Sequence, residues 1–243
     1  MKVCIDAGHG GNDSGAVGVN GRLEKNDNLK LALALDAELR ARGHNVLMTR
    51  IGDVYPSLDE RVKKANDWGA DVFVSLHRNS YTDAKANGGE VLYGTNASRT
   101  SIKLAETVNE KINTAAGFTN RGAKRQGATV LNKTKMPAIT IEAGFVTNAL
   151  DNSKFDSFFI KIVKAIADGI EESFGIEPME TDPLAYEING AAPLWRYVGE
   201  GKKGTVVTLD AYPIAPEPAG VFARIKDENG AQYLCEWKYL KKI

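Results

Sequence analysis

Up to Gly175, short apolar runs alternate with longer stretches in which apolar residues recur every three or four positions. The first run, "KVCIDA" (Lys2–Ala7), reads as a strand ending in a glycine-rich turn. Leu31, Leu35 and Leu39, widened by Ala32 and Ala34, form a helical stripe that stops at Gly43, a residue suited to a helix C-terminus. "NVLMT" (Asn45–Thr49) is the next strand. "SLDERVKKANDWG" (Ser57–Gly69) is a helix with its own punctuation: Ser57 as N-cap, Glu60 three residues later, Gly69 as the stop. "DVFVSLH" (Asp71–His77) is an almost unbroken apolar strand, and "GEVLYG" (Gly89–Gly94) is another. A helix over Ser101–Gly117 follows, then a glycine-containing loop, the short piece "ATVL" (Ala128–Leu131) and the strand "PAITIEAGF" (Pro137–Phe145). One long amphipathic helix is predicted over Ser153–Gly175.

Strands alternating with long helices predict an α/β fold, an open and mainly parallel sheet with helices on both faces. The pattern changes after Gly175. "IEPMETDP" (Ile176–Pro183) reads as a linker, and beyond it only short β-rich pieces occur: "TVVTLDAY", "VFARIK" and "AQYLCEW". The "DENG" between the last two ends in Asn-Gly, a hairpin signal. The expected organisation is a catalytic-sized domain over 1–175, a linker over 176–183 and a small all-β, barrel-like domain over 184–243.

Composition adds exclusions. Basic and acidic residues balance at 31 each, so no polycationic face for nucleic acid is implied. No run approaches the roughly 18 apolar residues of a membrane span, so no membrane insertion is expected. Secretory-leader patterning is absent before the first strand, which predicts synthesis in the cytoplasm. Cys4 and Cys235 lack metal-ligand spacing and read as free thiols, Cys4 buried in its strand.

In an open parallel sheet the loops that follow the strands share one edge, where ligands bind. His9 follows the first strand, Glu24 lies just before the first long helix, His77 ends the third strand, and Glu142 is at the carboxyl end of the last apolar strand. Two histidines and a carboxylate make an open zinc site, and a further glutamate can move the proton of an attacking water. Spacing alone leaves a blander reading open: a strand-end His9, a surface Glu24 and a core-edge His77. Asp6 is expected to orient a histidine or cap the turn, and His44 to be a solvated loop residue at the opposite edge. The glycine-rich turn fits neither phosphate fingerprint: Ala16 stands where a P-loop needs lysine, and Asp13 where the dinucleotide motif needs its third glycine.

The ordered set of motifs resembles the zinc-dependent N-acetylmuramoyl-L-alanine amidases, a family shared by bacterial wall hydrolases and phage endolysins. "IDAGHGGNDSGAVG", "EKNDNLKLA", "ADVFVSLHRNS" and "MPAITIEAGFVTN" carry it, supported by "GHNVLMTR", "ERVKKAN" and "RGAKRQGATVLNKTKMP". The resemblance implies that His9, Glu24 and His77 bind one Zn2+ and that Glu142 is the catalytic glutamate. It implies hydrolysis of the amide between the lactyl group of N-acetylmuramic acid and the L-alanine of the stem peptide, with peptidoglycan as partner. Arg78 departs from the family, which more often has a small or uncharged residue there; its guanidinium is a candidate contact to a substrate carboxylate. Arg121 and Lys124 are further candidate contacts to peptide carboxylates or muropeptide oxygens.

The segment from Leu184 resembles bacterial Src-homology-3-like wall-binding modules, with Trp195, Tyr197, Tyr212, Tyr233, Trp237 and Tyr239 available for stacking or for the barrel core. Eight basic against seven acidic residues from Pro183 onward give it no recognition by net charge. A phage endolysin released through a phage-encoded membrane hole is the expected setting, with a homodimer compatible. The alternatives are a non-catalytic wall-binding protein and a zinc peptidase on the same scaffold.

Overall fold

The computed structural model describes residues 1–176 throughout and, beyond them, only the backbone of strand stretches between 185 and 242. Two compact units divide the chain, Met1–Pro178 and Met179–Ile243.

The first unit is built on a six-stranded sheet of β1 (Lys2–Ala7), β2 (Asn45–Met48), β3 (Val72–Asn79), β4 (Gly89–Tyr93), β5 (Asn120–Arg125) and β6 (Ala138–Phe145). Its strand order is β2-β1-β3-β6-β4-β5. The pairs β1–β2, β1–β3, β3–β6 and β4–β5 are parallel, whereas β4 runs antiparallel to β6. The connection explains the reversal. Residues 80–88 hold no helix and are too few to carry the chain back to the starting edge, as a parallel crossover requires. A crossover helix, α3 (Arg99–Ala116), then links β4 to the parallel β5.

Alternation along the strands divides the core into two faces. Cys4, Phe73, Leu92 and Ala138 pack against Val62 and Ala65 of α2 (Leu58–Trp68) and Val130 and Leu131 of α4 (Thr129–Lys133). The opposite face is covered by α1 (Glu24–Ala41), α3 and α6 (Phe159–Ser173), which pack on one another. The ends of α2 follow the sequence signals: Ser57 and Glu60 form a reciprocal capping box, and Gly69 takes the left-handed conformation. Cys4 is buried, and burial pushes its thiol up to about 12.

Two expectations need correction. The helix expected over Ser153–Gly175 is two, α5 (Ala149–Ser157) and α6, with non-helical Phe158 between them. The loop expected after α3 contains the edge strand β5, and "ATVL" enters the short helix α4. No helix among the described residues is long and apolar enough to cross a membrane.

The second unit contains the strands β7 (Ala185–Ile188), β8 (Ala192–Pro193), β9 (Glu200–Gly201), β10 (Val206–Glu217), β11 (Gly220–Lys226), β12 (Gln232–Glu236) and β13 (Leu240–Lys242). Five of them form an antiparallel sheet ordered β12-β11-β10-β7-β13. The stacking expected of its aromatic side chains lies outside the described residues.

Candidate metal centre

His9 sits in the turn that leaves β1, with a backbone φ of 59°, a conformation few non-glycine residues adopt. Two buried arginines hold the turn there. Arg61 donates to the carbonyls of Ala7 and His9 at 2.7 and 2.8 Å, and Arg50 to those of Ala7 and Gly8, both at 2.8 Å. The His9 ring is oriented from behind by Asp13, whose Oδ2 lies 2.8 Å from Nδ1, leaving Nε2 aimed at Glu24 Oε2 at 3.2 Å.

Glu24 is the first residue of α1, so its carboxylate lies at the positive end of the helix dipole. Oε1 meets His77 Nδ1 at 2.9 Å and accepts from Arg78 N and from Asn28 Nδ2, both at 3.2 Å. Oε2 accepts from Ala16 N at 2.9 Å. The two imidazoles stand edge to face, with centroids 4.8 Å apart. Glycines make the close approach feasible: a Cβ on Gly8 would lie 2.2 Å from His77 Nε2, and one on Gly15 2.6 Å from Glu24 Oε2.

Burial alone would raise the Glu24 carboxyl, but hydrogen bonds and charge from His77 and His9 hold it well below the usual carboxylate range. Burial opposes protonation of His9, and Glu24 and Asp13 overcome it, raising that ring to about 9. His77 is raised in the same way by Glu24 and Glu142 against its burial. A carboxylate and two imidazoles, the rings neutral when they ligate, are a donor set for a divalent cation. Their ligand atoms all lie within 4.8 Å of one another, a separation that suits a single divalent ion with bonds of about 2.0–2.2 Å. The blander reading of separate strand-end, surface and core-edge residues is therefore replaced by one cluster.

Glu142 stands directly beside this cluster, as the register partner of His77 across the β3–β6 ladder. Burial pushes its carboxyl up to about 7, with His77 opposing and Glu24 and Glu90 adding to the rise.

Other expected site residues lie elsewhere. Arg78 is not a substrate contact. It follows His77 by one residue, so alternation turns it to the opposite face, where its guanidinium is buried. There it donates to Asp27 Oδ2 at 2.6 Å, Asn152 Oδ1 at 2.8 Å and the Gly144 carbonyl at 3.2 Å, over the Phe155 ring. Arg121 and Lys124 are partly exposed on β5, and both donate to Glu90 Oε2. Asp6 orients no histidine; it accepts from Thr49, Ser75 and Arg61. That role belongs to Asp13. His44 is not solvated but buried, 3.0 Å from Glu171 Oε1.

Sequence reasoning missed Asp13, Asn28, Arg50, Arg61 and Glu90 as supports of the site. Arg50 and Arg61 do stand in "GHNVLMTR" and "ERVKKAN", but only tertiary contact shows that they grip the His9 turn.

Comparisons with known proteins agree with this geometry. Residues 3–172 match the family described as N-acetylmuramoyl-L-alanine amidase. The chain is 39% identical over 170 residues to the N-acetylmuramoyl-L-alanine amidase LytC of Bacillus subtilis, a match covering 69% of this chain but 34% of that protein. It is 35% identical over 188 residues to the sporulation-specific N-acetylmuramoyl-L-alanine amidase of the same organism, covering 76% of this chain and 72% of that one. The solved catalytic domain of CwlV, an N-acetylmuramoyl-L-alanine amidase from Bacillus (Paenibacillus) polymyxa var. colistinus, superposes with a TM-score of 0.68 at 36% identity, over 72% of this chain and 99% of that one. The motifs that converge on the cluster lie inside the matched stretch, and the chain belongs to the N-acetylmuramoyl-L-alanine amidase family.

Proposed function

We propose that the chain is a zinc-dependent peptidoglycan hydrolase that cleaves the amide between the lactyl group of N-acetylmuramic acid and the L-alanine of the stem peptide. The observation that carries this reading is the His9–Glu24–His77 donor set with Glu142 beside it in register. On this reading the three residues hold one Zn2+. The ion, when bound, supplies a Lewis acid that polarises a carbonyl and makes water a better nucleophile at neutral pH. Asp13 keeps the His9 ring turned toward it, and Asn28 and Ala16 N keep the Glu24 carboxylate in place. Glu142 takes the proton of the attacking water on its carboxylate and returns it to the departing alanine nitrogen.

The β unit at 184–243 is read as a Src-homology-3-like wall-binding module, supported by its sequence likeness to such tails. The named relatives are bacterial, and a bacterial wall amidase stands beside the phage endolysin expected from the sequence as the second origin. The genes flanking this one decide between the two origins. A homodimer is not part of the reading.

Digestion of purified peptidoglycan with and without a chelator, followed by mass spectrometry of the new termini, tests the activity. Chelator-sensitive release of free L-alanine amino termini is expected. New termini inside the stem would make the protein a zinc peptidase, and wall binding without new termini a non-catalytic binder.

A further inference from the structure

The sheet face that carries His77 and Glu142 continues one strand further. Glu90 on β4 is the register partner of Glu142, as His77 is on the other side. Directly opposed residues project to the same face, so His77, Glu142 and Glu90 form one row across three neighbouring strands. The edge strand β5 extends the row with two cations. Arg121 Nε donates to Glu90 Oε2 at 2.9 Å and Lys124 Nζ to the same oxygen at 2.5 Å. Asn79 Nδ2 takes the other oxygen at 2.8 Å, and the Arg121 guanidinium lies over the Phe145 ring, 5.0 Å from its centroid.

The charges in this arrangement do not cancel. One carboxylate serves two cations, which leaves a single positive charge in excess. Exposure shows which sign faces outward: the Glu90 side chain is 11% exposed, against 36% for Arg121 and 44% for Lys124. Glu90 is thus an internal anchor that holds two cationic heads at the protein surface.

Position narrows the ligand. Opposed residues on neighbouring antiparallel strands lie about 5 Å apart, so the heads gathered on Glu90 sit little more than one strand spacing beyond Glu142. An extended peptide advances about 3.5 Å per residue, which brings its second residue to that distance from a bond held at Glu142. The lactyl carboxyl is already consumed in the scissile amide, so the sugar has no anion to offer on that side, whereas an acidic stem peptide does.

We infer that Arg121 and Lys124, positioned by Glu90, form a subsite for a free carboxylate near the start of the leaving peptide. The enzyme then discriminates between stems in which that carboxyl is free and stems in which it is amidated. This inference rests on the amidase reading for its substrate. Arg121 and Lys124 are the contacting groups, and Glu90 is a positioning residue.

The test uses the zinc-loaded full chain and two muropeptides that differ only in whether the α-carboxyl of the second stem residue is free or amidated. Unaltered protein is expected to favour the free acid about tenfold in kcat/KM, mostly through KM, as befits a charge-assisted contact at a partly exposed site. Arg121→Gln/Lys124→Gln is expected to bring the ratio close to one. Glu90→Gln keeps both cations but frees them, and should lower the ratio to an intermediate value with zinc content unaltered. A second readout needs no turnover: NMR titration of the full chain with the two corresponding free peptides, where the acid should bind about tenfold more tightly than the amide, and the double variant should erase the difference. Equal affinity for the two peptides, or a difference that survives the double variant, overturns the subsite. If neither muropeptide is cut at the lactyl amide, the amidase reading fails while the titration still decides the subsite.

Discussion

Gly8→Ala probes the metal centre with a single methyl group. That methyl would lie 2.2, 2.3 and 2.8 Å from Nε2, Cε1 and Cδ2 of His77. Carbon contacts settle near 3.5–4.0 Å, so the ring has to move by about 1 Å or more. The clash is with the end of a side chain rather than with backbone, and the fold can absorb it by turning His77 aside. The expected stability cost is therefore that of modest overpacking, about 1–3 kcal/mol. A zinc site that includes His77 would have no such latitude, because a zinc–nitrogen bond is only about 2.0–2.1 Å long. Loss of an outer partner of a ligand already weakens metal sites by about 10–100-fold, and displacing the ligand itself should cost at least about 100-fold. Competition against a chromophoric chelator measures the affinity, and circular dichroism with thermal melting of the chelator-stripped protein reads the fold separately. A Gly8→Ala protein that melts like the parent and binds zinc within a few-fold of it would refute the assignment of His77 as a ligand. An unfolded variant transfers the test to Gly15→Ala, whose methyl meets Glu24 Oε2 and His9 Cδ2 at 2.6 Å.

Glu142→Gln should retain its zinc while its rate of L-alanine terminus release falls by about 10²–10⁴, the range of acid–base catalysis; metal analysis beside the assay separates the two effects. Arg78→Met removes a fully buried guanidinium from Asp27, which keeps Arg22 at 2.7 Å, so the loss belongs at the lower end of the range for a broken buried pair, about 3 kcal/mol. Denaturant titration measures that loss, and a rise in KM for muropeptides would restore Arg78 as a substrate contact. With its thiol pushed up to about 12 by burial, Cys4 should resist alkylation at pH 8 in the folded protein and react once unfolded. Peptide mapping after labelling distinguishes it from Cys235.

Much of this protein is legible from local pattern. Apolar runs and helical stripes locate β1, β3, β6, α1 and α2 because burial of one face imposes a period on neighbouring residues. Ser57, Glu60 and Gly69 bound α2 because caps satisfy backbone groups within a few residues of themselves. Strand ends in an α/β fold share an edge, and that rule singles out His9, His77 and Glu142 before any coordinates. The edge strand β5 escaped notice because "NRGAKR" is polar at nearly every position and has no alternation to read. Phe158 breaks a helical pattern without a proline or glycine to announce it.

The sequence by itself determined most of the order of elements, through short-range periodicity, and its ordered motifs, through their resemblance to a family, nominated the residues of the candidate metal centre. Tertiary structure alone decided which polar residue serves which. Asp13 rather than Asp6 backs the His9 ring, Arg78 turns into the protein, and His44 is buried on Glu171. The reversal of β4 brings Glu90 next to Glu142, and with it the two cations of β5. Each of these partnerships joins side chains on separate elements, and a pairing across strands or helices leaves no period in the chain from which it could be read.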